Sequence, residues 1–181
     1  YAGGIKAYHR NENWRVGVMD HFEFNLRRMV ELTRNARVPL VLVQPTSNLR
    51  DCPPFKSQHS SGLSEHDLDV WQKRIAEAHA QTDSNAQEAL ARFQQALSID
   101  NEYALTHFQI ARVYDALGQV TEAKEAYLQA RELDVCPLRM LASMEQAMAS
   151  VARETGTPLV NAQTLVEQQS PDGIAGDDWL L

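Results

Sequence analysis

Cysteine is scarce in this chain. Only Cys52 and Cys136 occur among 181 residues, and two thiols cannot make the disulfide framework of a small secreted scaffold. Two free thiols and a reducing, cytoplasmic setting are the expectation. Long apolar runs are also missing. No stretch approaches the ~18 residues needed to cross a bilayer, so no membrane span is expected. Positive charge is in deficit: 17 Lys and Arg face 24 Asp and Glu, for a net charge of −7. That balance leaves no electrostatic footprint for nucleic acid. The local run Arg27, Arg28, Arg34 and Arg37 then reads as a solvated helix face. The sequence opens on Tyr1 instead of Met. The natural protein is therefore expected to extend before it, and the lack of a leader says nothing about secretion.

What is present is ordinary for a globular protein, with 44% hydrophobic and 23% charged residues. The clearest pattern lies in Ala104–Val135. Leu105, Phe108, Ala111 and Tyr114 fall on one helical stripe, and Val120, Ala123, Tyr127 and Ala130 on a second. Leu117-Gly118-Gln119 separates them, and Gly118 suits a left-handed helix cap. Small residues at Ala111, Ala123 and Ala130 allow the two helices to approach closely. This segment resembles a tetratricopeptide repeat, the 34-residue helix–turn–helix unit. The likeness runs through His107 (where the family prefers Trp), Ile110, Ala111, Tyr114, Gly118, Ala123, Tyr127 and Ala130; Val135 stands for the usual proline and Pro137 arrives two residues late.

One period earlier stand Ala89, Phe93, Ala96 and Asp100. They predict the second helix of a preceding repeat. Its first helix is expected over roughly Asp69–Gln81, with Trp71, Ile75 and Ala78 inward, although Glu77 and Ser84 replace the family's small residue and glycine. A closing helix is expected from Leu138, with Leu141, Met144, Met148 and Val151 on its apolar face. Three or more repeats usually make a free-standing array, so this short one should lean on other parts of the chain.

Outside the repeats the pattern changes. Tyr1–Asn13 reads as a loop. Asp20 with Glu23 suggests a capping box, and the helix after it should run to Asn35 as a left-handed cap, burying Phe22, Leu26, Met29 and Val30. Val38–Pro45 is short, β-branched and apolar on both faces, as a buried parallel strand reads. A long polar loop, Thr46–Gly62, follows it. Thr157–Ala162 repeats the Pro-Leu-Val wording of Pro39–Val41 after another helix and turn, and predicts a second strand parallel to the first. Gln163–Gln169 reads as a helical turn and Ser170–Asp178 as a loop. The expected fold class is α/β with an all-α insertion: a partial flavodoxin-like three-layer α/β/α arrangement with two parallel strands, plus tetratricopeptide-like hairpins. The expected boundaries are 1–66 for the first part of the α/β domain, 67–137 for the insertion, and 138–181 for the closing helix and second α/β part. Two such strands need neighbours, so the α/β part should belong to a larger domain or have its edges covered.

The run HFEFNLRRMVELTRNARVPLVLVQPTSNLRDCPPF, with TPLVNA and SPDGIAGDDWLL, resembles the C-terminal half of an SGNH (GDSL-type) hydrolase, some bacterial members of which carry a tetratricopeptide insertion at this place. The resemblance implies a serine ester or acyl hydrolase. Its catalytic blocks are absent: there is no GDS serine, no GxND asparagine, and no DxxH histidine after Asp177-Asp178. No catalytic residue is assigned, and any Ser–His chemistry would lie outside these residues.

Other candidates follow from position. Ligands of parallel α/β sheets bind beyond the carboxyl ends of strands. This nominates Asn48 and Arg50 (with Asp51) after the first strand and Asn161 after the second as substrate-facing residues. On the repeats, Leu105, Phe108, Arg112 and Asp115 would line a groove for a protein or peptide partner; self-association and a purely structural role are the alternatives. Repeats that clamp a C-terminal carboxylate carry Lys and Asn where Phe108 and Arg112 stand, so that ligand is not expected. Cys52, His59 and His66 are too widely spaced for zinc. His107 reads as a satisfied core histidine, and Met140, Met144 and Met148 as packing. Asp67 and Asp69 read as helix-start charge. No metal or cofactor is expected. The leading functional expectation is an interaction or structural module carried by a hydrolase-like fragment, the alternative a portion of the esterase itself.

Overall fold

The computed structural model describes residues 4–180. After a 3-10 turn at Gly4–Ala7 come α1 (Glu12–Asn35), β1 (Leu42–Gln44), α2 (Glu65–Gln81), α3 (Ala86–Ile99), α4 (Ala104–Ala116), α5 (Val120–Glu132), α6 (Ala142–Thr155), β2 (Leu159–Asn161) and α7 (Ala162–Glu167). A second 3-10 turn follows at Pro171–Gly173. The architecture is largely helical, with one two-stranded sheet. The chain divides into two compact units. One holds the described residues up to His9 with Asn48–Leu138; the other holds Arg10–Ser47 with the described residues from Arg139 on.

In the first unit α2 to α5 form two antiparallel hairpins. Ala78, Leu90, Phe93, Ile110 and Val113 make their shared core, with Ile75, Tyr114 and Ala126 packed against it. Phe93 is 1% exposed; burying such a side chain contributes about 2–3 kcal/mol. Ala89, Ala96, Ala111, Ala123 and Ala130 are completely buried, as close helix approach requires. Phe108 of α4 meets Tyr127 of α5 edge-on, with centroids 5.3 Å apart. Gly118 ends α4 in the left-handed region (φ +70°), and the Gln119 N–H reaches back to the Tyr114 carbonyl at 2.9 Å. The α2–α3 turn lacks glycine at Ser84 and takes no left-handed residue. Asn85 closes it instead, its side chain accepting from the Glu88 N–H at 3.1 Å.

In the second unit β1 and β2 pair in parallel, Leu42 with Leu159, Val43 with Val160 and Gln44 with Asn161. Leu26 and Val30 of α1 and Met148, Val151 and Ala152 of α6 cover one face of this sheet around Leu42. Arg27 pairs with Glu23 of its own helix (2.6 Å) and joins α1 to α6 through Glu154 (2.8 Å), and Arg34 donates to the Thr155 carbonyl. Two residues of the basic run, Arg27 and Arg34, thus reach α6, while Arg28 pairs with Glu31 of its own helix and, like Arg37, stays on the solvated face.

The structure changes several expectations. Helix α1 begins at Glu12 instead of near Asp20, because the Asn11 side chain accepts the Trp14 N–H at 3.0 Å and caps it earlier. Asn35 stays helical; Arg37 takes the left-handed turn (φ +56°). Helix α6 starts at Ala142, leaving Leu138 75% exposed before it. The strands are not buried on both faces: Val43 is 53% exposed and Val160 41%. The described residues give a helical layer on one sheet face, and a flavodoxin-like third layer stays a proposal. The Ser170–Asp178 loop hides Ile174 and Ala175, both nearly inaccessible, a core contribution its polar neighbours masked.

Candidate protein-interaction groove

The end of α2 and the start of α3 flank the exposed side of α4 and leave a groove of about 680 Å³. Phe93, Leu105, Phe108 and Val113 form its apolar floor, and His79, Thr82, Asp83, Gln109 and Arg112 its polar walls. Pro53, from the segment before α2, closes one side. The His79 ring stands edge-on to Phe93 (5.4 Å, 88°) and accepts from the Gln109 amide at 3.0 Å. Arg112 is exposed, and no carboxylate pairs with it among the described residues. Three residues nominated from sequence, Leu105, Phe108 and Arg112, therefore line one cavity.

Asp115 does not line it. Its carboxylate binds Arg50, with Nε to Oδ2 at 2.7 Å and Nη2 to Oδ1 at 3.0 Å. The Tyr127 hydroxyl donates to Oδ2 at 3.4 Å. Burial, and then the Asp115 charge, hold the Tyr127 phenol well above its usual range. Asn48 closes a turn by accepting the Asp51 N–H at 2.9 Å. Asn161 belongs to the other unit, where it caps α7 by accepting the Thr164 N–H at 2.9 Å. Each of the three substrate-facing candidates thus has a local structural partner, and a role toward substrate stays a proposal.

Sequence reasoning passed over the residues that tie the segment before α2 to the repeats. Asp134 accepts the Phe55 N–H at 2.7 Å and the Lys56 N–H at 2.9 Å. Asp100 accepts His59 Nδ1–H at 2.6 Å and the Ser60 hydroxyl at 2.9 Å. Burial alone would push the Asp100 carboxyl up. Its hydrogen bonds from His59, the Glu102 N–H and Ser60 outweigh that and bring it below the ordinary carboxylate range. The His59 ring stacks on Tyr103 (4.4 Å) and meets Trp71 edge-on (4.7 Å). The available signal was the repeat itself, which puts an aspartate at the same place in both periods. His107 donates from Nε2 to the Asn101 carbonyl at 2.8 Å, and burial holds its ring below the usual imidazole range.

The repeats are two helical hairpins with Ala78, Ala89, Ala96, Ala111, Ala123 and Ala130 fully buried and a left-handed glycine between α4 and α5. The family model for the tetratricopeptide repeat matches residues 80–135. Those residues are a tetratricopeptide-like repeat region. It runs from the last two residues of α2 through α5, so Phe93, Leu105, Phe108 and Arg112 of the groove lie inside it. No curated protein and no solved structure matches the chain. Among the described residues no group of three or more His, Cys, Asp or Glu is placed to hold a metal ion, and no helix is long and apolar enough to cross a membrane.

Proposed function

We propose that the repeat region is a protein-interaction module, carried by a fragment of an SGNH-hydrolase-like α/β domain, and that it takes an extended segment of a partner protein in the groove. The observation that carries this reading is the joining of an apolar floor, Phe93 and Phe108, to an exposed guanidinium without a carboxylate, Arg112. A large apolar side chain would seat on the two phenylalanines, with an acidic neighbour on Arg112 and a donor toward Asp83. Asp115, held by Arg50, supports the wall of α4 from behind the site. Selection of binders from a random peptide-display library tests this. Arg112→Glu should weaken the selected peptides about 10-fold or more, the scale of one lost charge pair turned repulsive. Gln129→Arg, on the outer face of α5, should leave them unchanged. Equal binding by Arg112→Glu would remove the groove as the site.

A second reading rests on the parallel pairing of β1 with β2 across the inserted repeats. We propose here a portion of an SGNH-type esterase or acyl hydrolase whose catalytic Ser and His blocks lie outside these residues. Asn161, at the carboxyl end of β2, would face substrate in the second unit, and Asn48 and Arg50, after β1, are substrate-facing candidates of the first. The reading frame on either side decides it. A GDS block before and a DxxH block after, with aryl-ester turnover by the extended protein, would support it; silence from the extended protein would end it.

A further inference from the structure

We propose that segment Arg50–Ser60 is a displaceable internal ligand of the repeats, occupying a track along α4 on which an extended segment of a partner protein docks. The proposal rests on the interaction-module reading and goes beyond it, adding a second track on the repeats beside the groove, whose lining includes Pro53 of the segment.

The track is built by the repeat. Asp100 and Asp134 are one 34-residue period apart, and both are buried, at 1% and 6% exposure. Each closes the same local turn, Oδ1 accepting the N–H two residues on: Glu102 at 3.1 Å and Cys136 at 3.0 Å. Each then turns its remaining lone pairs to the segment, Asp134 to the Phe55 and Lys56 N–H groups and Asp100 to His59 and Ser60. Between these grips the Ser57 hydroxyl accepts the Leu105 N–H at 2.9 Å, where α4 begins. Arg50 binds Asp115, near where α4 ends. The segment therefore runs antiparallel to α4. Leu105 to Asp115 spans about 15 Å of helix, which seven residues cover easily in an extended form.

The contacts suit exchange. The segment contains no helix or strand. Pro53 and Phe55 are exposed, and the fully buried apolar anchor, Leu49, lies just before the segment. The ties are mostly side-chain hydrogen bonds, with one main-chain bond from the Val135 N–H to the Lys56 carbonyl at 2.9 Å. Lys56 itself reaches the carbonyls of Ile5 and Tyr8. On release, Asp100 and Asp134 each keep the N–H of their own turn, so neither carboxylate is left without a donor. A competing segment would offer the same chemistry: consecutive main-chain N–H groups for Asp134, and a hydroxyl or imidazole for Asp100 beside Trp71 and Tyr103.

Two measurements on the full chain test this. Native-state hydrogen exchange should show the amides of Phe55, Lys56 and Ser60 opening about 100-fold faster than those of Ile110 and Ala111 in α4, as a locally opening unit does. A labelled synthetic peptide spanning residues 49–61 should bind the His59→Ala, Ser60→Ala double variant about 10-fold tighter than the unaltered chain, because the internal competitor is weakened. Exchange of the segment amides at the slowest α4 rate would overturn the proposal. So would equal or absent peptide binding, or loss of the helical circular-dichroism signal in the variant, since each makes the segment a fixed part of the fold. None of these results touches the Arg112→Glu comparison, on which the groove reading stands or falls.

Discussion

Arg50 and Asp115, 65 residues apart, form a two-pronged ion pair at 2.7 and 3.0 Å with both side chains about one-fifth exposed. One was nominated as a substrate contact and the other as a partner contact. Their pairing gives both a different task. It fixes the segment before α2 against α4, and it supplies the cation that Asp115 needs beside the buried Tyr127 phenol.

Arg50→Ala should therefore cost about 1–2 kcal/mol, between a charge-assisted bond in the interior and a screened surface pair. That corresponds to a fall in Tm of roughly 2–8 °C for a chain of this size. Arg50→Lys should recover less than half, because an ammonium cannot reproduce the planar fork. An unchanged melt for Arg50→Ala would show that the pair does not hold the segment.

Ala123 is completely buried where α5 packs. Ala123→Arg forces a long charged side chain into that contact and should cost several kcal/mol, about 3 or more, through overpacking and charge burial. A far-UV melt within a degree of the unaltered chain would contradict the hairpin packing.

Acid should weaken the repeats in two stages. Burial depresses the His107 value in the fold, so protonation is disfavoured there, and stability falls as pH drops below the unfolded imidazole value of about 6.5. Asp100 is also depressed; its contribution is whole above the unfolded carboxylate value of about 3.9 and is lost as pH falls through the lower folded value. Urea midpoints measured against pH should show both. His107→Gln should flatten the first stage and Asp100→Asn the second. A midpoint constant from pH 7 to 5 in the unaltered chain would contradict the first.

The hairpins were legible because their signal is local: Ala123, Tyr127 and Ala130 return at Ala89, Phe93 and Ala96. The parallel pairing was legible from the repeated Pro-Leu-Val wording. Partners set by tertiary position were not. Nothing around Arg50 names Asp115, and the polar sequence of the segment that follows reads as loop while its N–H groups satisfy two buried aspartates. The start of α1 was missed because Asp20 and Glu23 made a plausible cap inside a helix that Asn11 had already capped. Strand burial was overestimated because apolar residues stand on both faces of β1, Leu40 and Leu42 on one and Val41 and Val43 on the other, while α1 and α6 cover only the first.

The sheet itself carries a prediction. Val41, Val43 and Val160 are exposed, and each strand has one edge without a neighbour among the described residues. Such edges pair with further copies, so light scattering should show concentration-dependent self-association, reduced by Val43→Lys. A stable monomer at high concentration would contradict this.

The most direct test of the interaction reading is to map a selected peptide on the isotope-labelled chain by NMR. The account predicts that shifted amides cluster on Leu105–Ala116 and Thr82–Ala86, with Arg112 among the largest. Shifts confined to the outer face of α5, around Glu125 and Gln129, or to α1 and α6, would contradict it.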